Sequence, residues 1–276
     1  MMRRTTRLAV VPFAPACNLS QIVSKKAEKI EARRHERLEV SDRDGDGIPG
    51  AAMTSGDASH FRAHGFTIIR GAVSESAIAE IDRHLHHFIQ TELPSLPSES
   101  AFYLGVGRTG LWHIHALGLK PFFRQMPIAL GWQRIAERLL GKPGTPNVPQ
   151  LIDKPPSLWH VTPAHQDCAH ARRHGFVTFW LALDESTAES GCLRFVDRSH
   201  QAGCRPHRRC AEPGFALALA DYSSDDRARE VAASCAPGDL SIHHSDTIHS
   251  SGTNRGGGHR RALVTVFSVA QTGGES

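Results

Sequence analysis

The sequence predicts a mostly β fold with flanking helices. Three observations carry this expectation: helical periodicity is concentrated in the first half of the chain, a series of short strand-like segments follows residue 146, and the two types do not alternate. Regular alternation would signal a Rossmann or (β/α)₈ plan, whereas helices followed by many short strands point to a sandwich or open barrel with helices outside.

The elements can be taken in order. HFRAHGFTIIRGAV, from His60, reads as a short helix, a glycine turn at Gly65 and a strand through Phe66–Arg70. Ser74 is placed to cap the next helix, with Glu75 in its first turn, where an acidic side chain meets the positive end of the helix dipole. Ile78, Ile81, Leu85 and Phe88 or Ile89 then recur every three to four residues, and Pro94 bounds the helix. Residues 95–120 are weakly patterned and hold Phe102, Tyr103, Trp112, His113 and His115 among glycines, as a segment covering a site would. A second amphipathic helix is expected over Trp132–Leu140. Strands are expected at Val148–Ile152, Leu158–Pro163, Phe176–Leu183, Cys192–Val196, Asp239–His243 and Ala262–Val269, bounded by Gly, Pro, Asp or Ser.

Charge is unevenly placed. Residues 1–52 hold 10 Lys/Arg against 7 Asp/Glu, which is +3 of the net +4, so the body of the chain is nearly neutral and offers no cationic field for nucleic acid. Residues 1–53 are expected to form a disordered extension and 54–276 a single domain. Whether the extension is a tail, a targeting segment or sequence upstream of the true start stays open. Its DRDGDGIPG run imitates a calcium loop but places Met53 where a bidentate Glu should stand. No apolar stretch is long enough for an integral membrane segment. Six cysteines in 276 residues are too few for a disulfide scaffold, which suggests reduced thiols and a cytoplasmic setting. The CRPHRRC run, with Cys204, His207 and Cys210, lacks a fourth zinc ligand at a defensible spacing.

The chemistry concentrates in two places. In HQD, strand alternation would bring His165 and Asp167 to one face and Gln166 to the other. In CAPGDLSIHHSDTIHSSGTNRGGGHRRALVTVF, residues 235–267, His249 could join them as a two-histidine, one-carboxylate triad, the set that suits non-haem iron(II) because it leaves coordination positions open. Arg260 offers a planar fork for a carboxylate. Arg261 competes, but strand period turns only one of the two inward.

Three ordered blocks, HFRAHGFTIIRGAV, HQD followed by GFVTFWLALDESTAESGCLRFVDRSH, and PGDLSIHHSDTIHSSGTNRGGGHRRALVTVF, make residues 57–270 resemble the phytanoyl-CoA dioxygenase family. The resemblance implies a double-stranded β-helix of the jelly-roll, cupin-like type. It also implies iron(II) on His165, Asp167 and His249, 2-oxoglutarate as co-substrate with Arg260 on its far carboxylate, and dioxygen. Lys154 resembles a family lysine near the co-substrate, and Ser251 is expected against the same carboxylate as Arg260. Trp180 reads either as pocket lining or as core. The expected reaction is hydroxylation of an unactivated carbon of a small-molecule substrate, with release of succinate and CO2. Asp167 favours it, since related halogenases carry a small residue in that place. A non-redox metal enzyme and a catalytically silent metabolite-binding protein are the alternatives, and the oligomeric state stays open. Where the family commonly reads Pro-Gly-Ser-His, this chain has Asp197, Arg198, Ser199 and His200.

Overall fold

The structure, a computed structural model, describes residues 52–104, 109–156, 160–171 and 174–269. The amino-terminal extension and its acidic run at 42–50 lie outside the described residues. Met53, at the expected boundary, is buried, and its carbonyl accepts a hydrogen bond from Arg138 Nη1 at 2.8 Å.

The first helix, α1 (Ser55–His64), begins at a capping box in which Thr54 and Asp57 satisfy each other's backbone N–H groups, and it ends at Gly65 with φ of 85°. A left-handed residue there turns the chain straight into β1 (Phe66–Ile69). A Cβ on Gly65 would come within 2.5 Å of His200 Nδ1 and 2.6 Å of Thr247 Oγ1. Gly65→Ala is therefore expected to destabilise the fold by about 1–3 kcal/mol, seen as a fall in Tm of about 2–4 °C per kcal/mol. Ser74 caps α2 (Glu75–His87) by accepting from Ala77 N, and the chain continues through a π turn at Phe88–Glu92 and a 3-10 turn at Leu93–Ser95 rather than stopping before Pro94. The weakly patterned segment supplies two short strands, β2 (Ala101–Tyr103) and β3 (Leu111–Ile114), and an unanticipated helix α3 (Pro121–Ala129) precedes α4 (Trp132–Leu140).

The remaining strands are β4 (Gly144–Pro146), β5 (Gln150–Lys154), β6 (Thr162–His165), β7 (Phe176–Ala182), β8 (Leu193–Val196), β9 (His207–Arg209), β10 (Leu217–Leu219), β11 (Glu230–Ala233), β12 (Leu240–His244), β13 (His249–Ser251) and β14 (Arg260–Val269). Two short helices interrupt them, α5 (Asp167–Ala171) and α6 (Ser224–Ala228). An eight-stranded antiparallel sheet runs β1-β12-β7-β14-β5-β3-β2, with β4 also on β14, and a four-stranded sheet runs β11-β8-β13-β6; β9 and β10 form a separate pair.

This corrects the expected double-stranded β-helix. The strands form separate antiparallel sheets that are not closed into a barrel, and helices contribute enough of the packing to make the arrangement mixed α/β. Outside the named strands, the described residues show one isolated bridge, Ser186 with Cys235. The physical cause is that both large-sheet edges end in short strands, β1 and β2, which pair on one side only.

Two apolar layers hold this together. Val177, Phe179 and Leu181 of β7 pack with Leu240, Ile242, Leu263 and Phe267 against Leu85, Phe123 and Trp132 of the helices. The alternate residues Trp180 and Ala182 pack with Phe66, Leu193 and Phe195 between the sheets. β7 is buried at every position, so both faces are spent on core. Each large side chain so buried contributes about 1.5–3 kcal/mol. No described helix is long and apolar enough to cross a membrane.

Candidate metal centre

The candidate ligands meet at the seam between the two larger sheets. β6 and β13 are antiparallel neighbours whose register sets His165 directly opposite His249, and their rings lie 4.2 Å apart. Cross-strand pairing, rather than proximity in sequence, brings the two imidazoles together. The HQD segment is not extended throughout, as alternation had suggested. Strand β6 ends at His165 and Asp167 opens the short helix α5. The carboxylate still converges, with Oδ1 3.8 Å from His165 Nε2 and 3.7 Å from His249 Nε2.

Gln166 explains the bend. Its side chain is fully buried; Nε2 donates to Gly203 O at 2.8 Å and Asp246 O at 2.6 Å, while Oε1 accepts from Arg205 N at 2.8 Å. A side chain anchored on three backbone groups fixes where the strand stops and the helix begins.

The imidazoles are oriented by their other nitrogens. Nδ1 of His165 faces Pro163 O at 2.8 Å and Nδ1 of His249 faces Thr247 O at 3.0 Å, so a proton on each Nδ1 leaves both Nε2 atoms as lone-pair donors toward Asp167. Burial, together with the neighbouring His249, pushes His165 down to about 3, and burial with His243 pushes His249 down to about 4. Both rings are therefore neutral at ordinary pH, as metal ligands must be. Burial opposes charge on Asp167, but His249, the contact from His243 and His165 outweigh it and hold the carboxyl well below its usual range. Two neutral imidazoles and a carboxylate, with ligand atoms all within 4.8 Å of one another, fit a divalent iron site by donor chemistry.

Two neighbours were not singled out as Asp167 partners from sequence. Thr178 Oγ1 donates to Asp167 Oδ2 at 2.6 Å, and His243 Nε2 lies 3.1 Å from the same oxygen. The two are register partners on β7 and β12 and share a face with Trp180 and Ser241. Strand alternation through 176–182 and 240–244 carries the signal that could have found them. Thr178→Val, which keeps the shape and removes the donor, is expected to weaken iron(II) or manganese(II) affinity about 10- to 100-fold, measured as a dissociation constant on folded protein.

On β14 the two arginines part as strand period requires. Arg261 faces outward, bonded to Asp184 and Asp82, whose hydrogen bonds raise its pKa further. Arg260 is 2% exposed, lies over the Trp180 ring at 5.3 Å, and its Nε has no hydrogen-bond partner among the described residues. A buried guanidinium with an unsatisfied donor is costly unless something anionic completes it, and burial lowers its pKa to about 10. Trp180 thus serves both readings, as core between the sheets and as a platform for Arg260.

Lys154 pairs in register with Arg260 and is fully buried, with burial and Arg260 pushing it down to about 6. Its Nζ donates to the carbonyls of Ser251 and Gly252. Ser251 Oγ donates to Gly191 O at 2.9 Å. Both residues adjoin Arg260's end of the sheet and are here bonded to backbone.

The aromatic segment packs toward the triad. Trp112 packs edge-on against Phe215 at 5.4 Å, and Phe215 lies 5.7 Å from the His165 ring. His113 bonds Gln150 at 2.9 Å and its ring lies 3.8 Å from that of His115, tilted by 42°; burial, then His115, pushes His113 down to about 3. His170, expected in a loop, sits in α5 with its ring 5.4 Å from that of His165. Cys204, His207 and Cys210 do not gather as a metal group among the described residues: His207 accepts from Gln166 N, and Cys204 is disulfide-bonded to Cys168, against the expectation of reduced thiols. Asp197, at the departure from the common family motif, pairs with His64 at 2.6 Å, and Arg198 takes a left-handed φ of 58°.

Comparison with known proteins agrees with this geometry. The family model described as phytanoyl-CoA dioxygenase (PhyH) matches residues 61–262, more than half of the chain. A Caenorhabditis elegans protein, a probable phytanoyl-CoA dioxygenase, is 32% identical over 128 residues, covering 43% of this chain and 40% of that relative. The matched region thus spans less than half the length of the curated relative. Among solved structures, EvdO2 from Micromonospora carbonacea var. aurantiaca is 27% identical with a TM-score of 0.62, covering 81% of this chain and 96% of its own. SnoK, a non-haem alpha-ketoglutarate-dependent carbocyclase from nogalamycin biosynthesis, is 22% identical with a TM-score of 0.65 over 80% and 87% of the two chains, which shows likeness of fold. With its candidate triad and buried Arg260 both inside the matched region, the chain belongs to the phytanoyl-CoA dioxygenase family of iron(II)- and 2-oxoglutarate-dependent oxygenases.

Proposed function

We propose that the protein oxidises a small metabolite, using iron(II) held by His165, Asp167 and His249 and 2-oxoglutarate held at its far carboxylate by Arg260. The observation that carries this reading is the pairing of a converged triad with a buried arginine whose Nε lacks a partner among the described residues. Thr178, which anchors Asp167, and Trp180, which underlies Arg260, are two residues apart on one face of β7, a separation of about 7 Å along a strand. A short dicarboxylate is of the right order of length to bridge the two anchors.

Bound there, iron and 2-oxoglutarate supply an oxidant able to take hydrogen from an unactivated carbon, with release of succinate and CO2. The protein's part is positional. Nδ1 contacts to Pro163 and Thr247 hold the imidazoles, Thr178 and His243 hold the carboxylate, and Arg260 selects a carboxylate by its planar fork. Lys154 and Ser251 border the same end, and either would serve the co-substrate by releasing a backbone carbonyl. Asp167 favours hydroxylation as the outcome. Trp112, His113 and Phe215, whose rings pack together beside His165, would suit a polar or partly aromatic substrate if they face it, since they join aromatic surface to a neutral imidazole.

The test is anaerobic titration of iron(II)-loaded protein with 2-oxoglutarate, read by visible absorption. A charge-transfer band that saturates with 2-oxoglutarate supports the reading. A folded, iron-loaded protein without the band refutes it and turns attention to a non-redox metal enzyme or a metabolite-binding protein.

A further inference from the structure

We propose that reduction of the Cys168–Cys204 disulfide creates a second divalent-cation site of the zinc class, with Cys168, Cys204, His174 and Asp246 as ligands. The inference is independent of the oxygenase reading, for none of these four residues belongs to the triad.

Geometry carries it. The ligand atoms of Cys168, His174 and Asp246 all lie within 4.8 Å of one another, and Cys204 is joined to this group through its bond to Cys168. His174 Nδ1 is 3.0 Å from Asp246 Oδ1 and 3.1 Å from Oδ2. Tetrahedral zinc with bonds of about 2.0 Å to nitrogen and oxygen sets such a pair about 3.3 Å apart, and with 2.3 Å bonds it sets two sulfurs about 3.8 Å apart. The cysteine Cα atoms are 6.4 Å apart, a spacing from which free thiols reach that separation by side-chain rotation. Two thiolates, an imidazole and a carboxylate form a soft-leaning tetrahedral set that suits zinc better than magnesium or calcium.

The backbones at Cys168, Asp246 and beside Cys204 are already held by hydrogen bonds. Gln166 Nε2 bridges Gly203 O, next to Cys204, and Asp246 O, while Cys168 N donates to Ser245 O at 3.0 Å. Cys168 and Asp246 are buried, and the His174 side chain is 61% exposed, which leaves an entry path from solvent. The cation would also brace α5, whose first residue is Asp167.

The redox step balances with a dithiol or phosphine reductant. The S–S bond breaks on accepting two electrons and two protons, and a dithiol becomes its own disulfide. Cation binding then displaces the two thiol protons to solvent. Exchange with a small disulfide oxidant, which takes up the two electrons and leaves as two thiols, re-forms the Cys168–Cys204 bond, expels the cation and ties α5 to the loop at Cys204.

Cobalt(II) is the probe. Metal-free protein is reduced with a phosphine, freed of reductant without oxygen, and titrated with cobalt(II). The expected result is a near-ultraviolet thiolate-to-cobalt band with intense tetrahedral visible bands, discharged by zinc(II) and absent from oxidised protein. The triad, which has no sulfur, contributes no thiolate band. Cys168→Ser and Cys204→Ser should each remove or halve the band, and His174→Ala and Asp246→Asn should weaken cobalt affinity at least tenfold. Should a cysteine variant fail to fold, alkylation of the reduced wild type decides the matter, because zinc(II) must protect Cys168 and Cys204 more than Cys210. No thiolate band in folded, reduced protein, a band indifferent to both His174→Ala and Asp246→Asn, or no selective protection would each overturn the proposal.

Discussion

Replacing His249 with alanine is expected to abolish the 2-oxoglutarate-dependent visible band and to reduce substrate-coupled succinate formation by more than about 100-fold. The floor comes from the hierarchy of the site, because losing a partner of a metal ligand typically costs 10- to 100-fold, and losing the ligand itself must cost more. His249 sits opposite His165 in register, 6% exposed, so the vacancy would open at the centre of the triad rather than at its margin. His165→Ala should behave alike. Asp167→Ala should be at least as severe, since it also strips Thr178 and His243 of the carboxylate oxygen they share. Circular dichroism and Tm separate loss of metal from loss of fold. Wild-type iron affinity and turnover in all three variants would remove the assignment.

What the sequence made legible depended on whether a feature was local. The capped helix at Ser74, the helix at 132–140 and the buried strand at 176 announce themselves by composition and period over a few residues, and all three are present. The edge strand β2 and its neighbour β3 do not, because each is three or four residues long and their pairing is interrupted by an irregularity at Phe102/Tyr103. The helix at 121–129 was hidden by Pro127 within it.

The site shows the same division. His165, Asp167 and His249 were legible through the family resemblance of the blocks that hold them, since His-x-Asp alone is weak, and the reason they meet was not legible. Local alternation suggested an extended HQD, whereas the carboxylate arrives on a helix turned by Gln166, whose partners lie 37 to 80 residues away. The split between Arg260 and Arg261 followed from strand period alone. The pairing of Cys168 with Cys204 could not, since 36 residues separate them and only the packing of α5 against the loop at Gly203 brings their sulfurs together. Whether the sheets close was not legible, because strand count and order do not say which edges pair.

Arg260→Ala is the second prediction of large effect, and its signature differs from that of the triad. Truncating one partner of a buried, hydrogen-bonded charge pair typically costs 2–5 kcal/mol, so the dissociation constant for 2-oxoglutarate should rise by roughly 30- to several thousand-fold. Iron(II) affinity in the absence of 2-oxoglutarate should change little, because the metal ligands sit on β6, α5 and β13 and not on β14. Arg260→Lys should recover only part of the loss, since an ammonium cannot reproduce the two parallel bonds of the guanidinium fork and stacks less well on Trp180. Arg261→Ala is the matched control. Its guanidinium is spent on Asp184 and Asp82 at the outer face, so its loss should lower Tm and leave 2-oxoglutarate affinity near wild type. If Arg260→Ala bound 2-oxoglutarate as the wild type does while the charge-transfer band persisted, the triad assignment would survive and the carboxylate's partner would have to be sought among Lys154 and Ser251. The two large predictions thus fail separately, one reading the metal and the other the co-substrate.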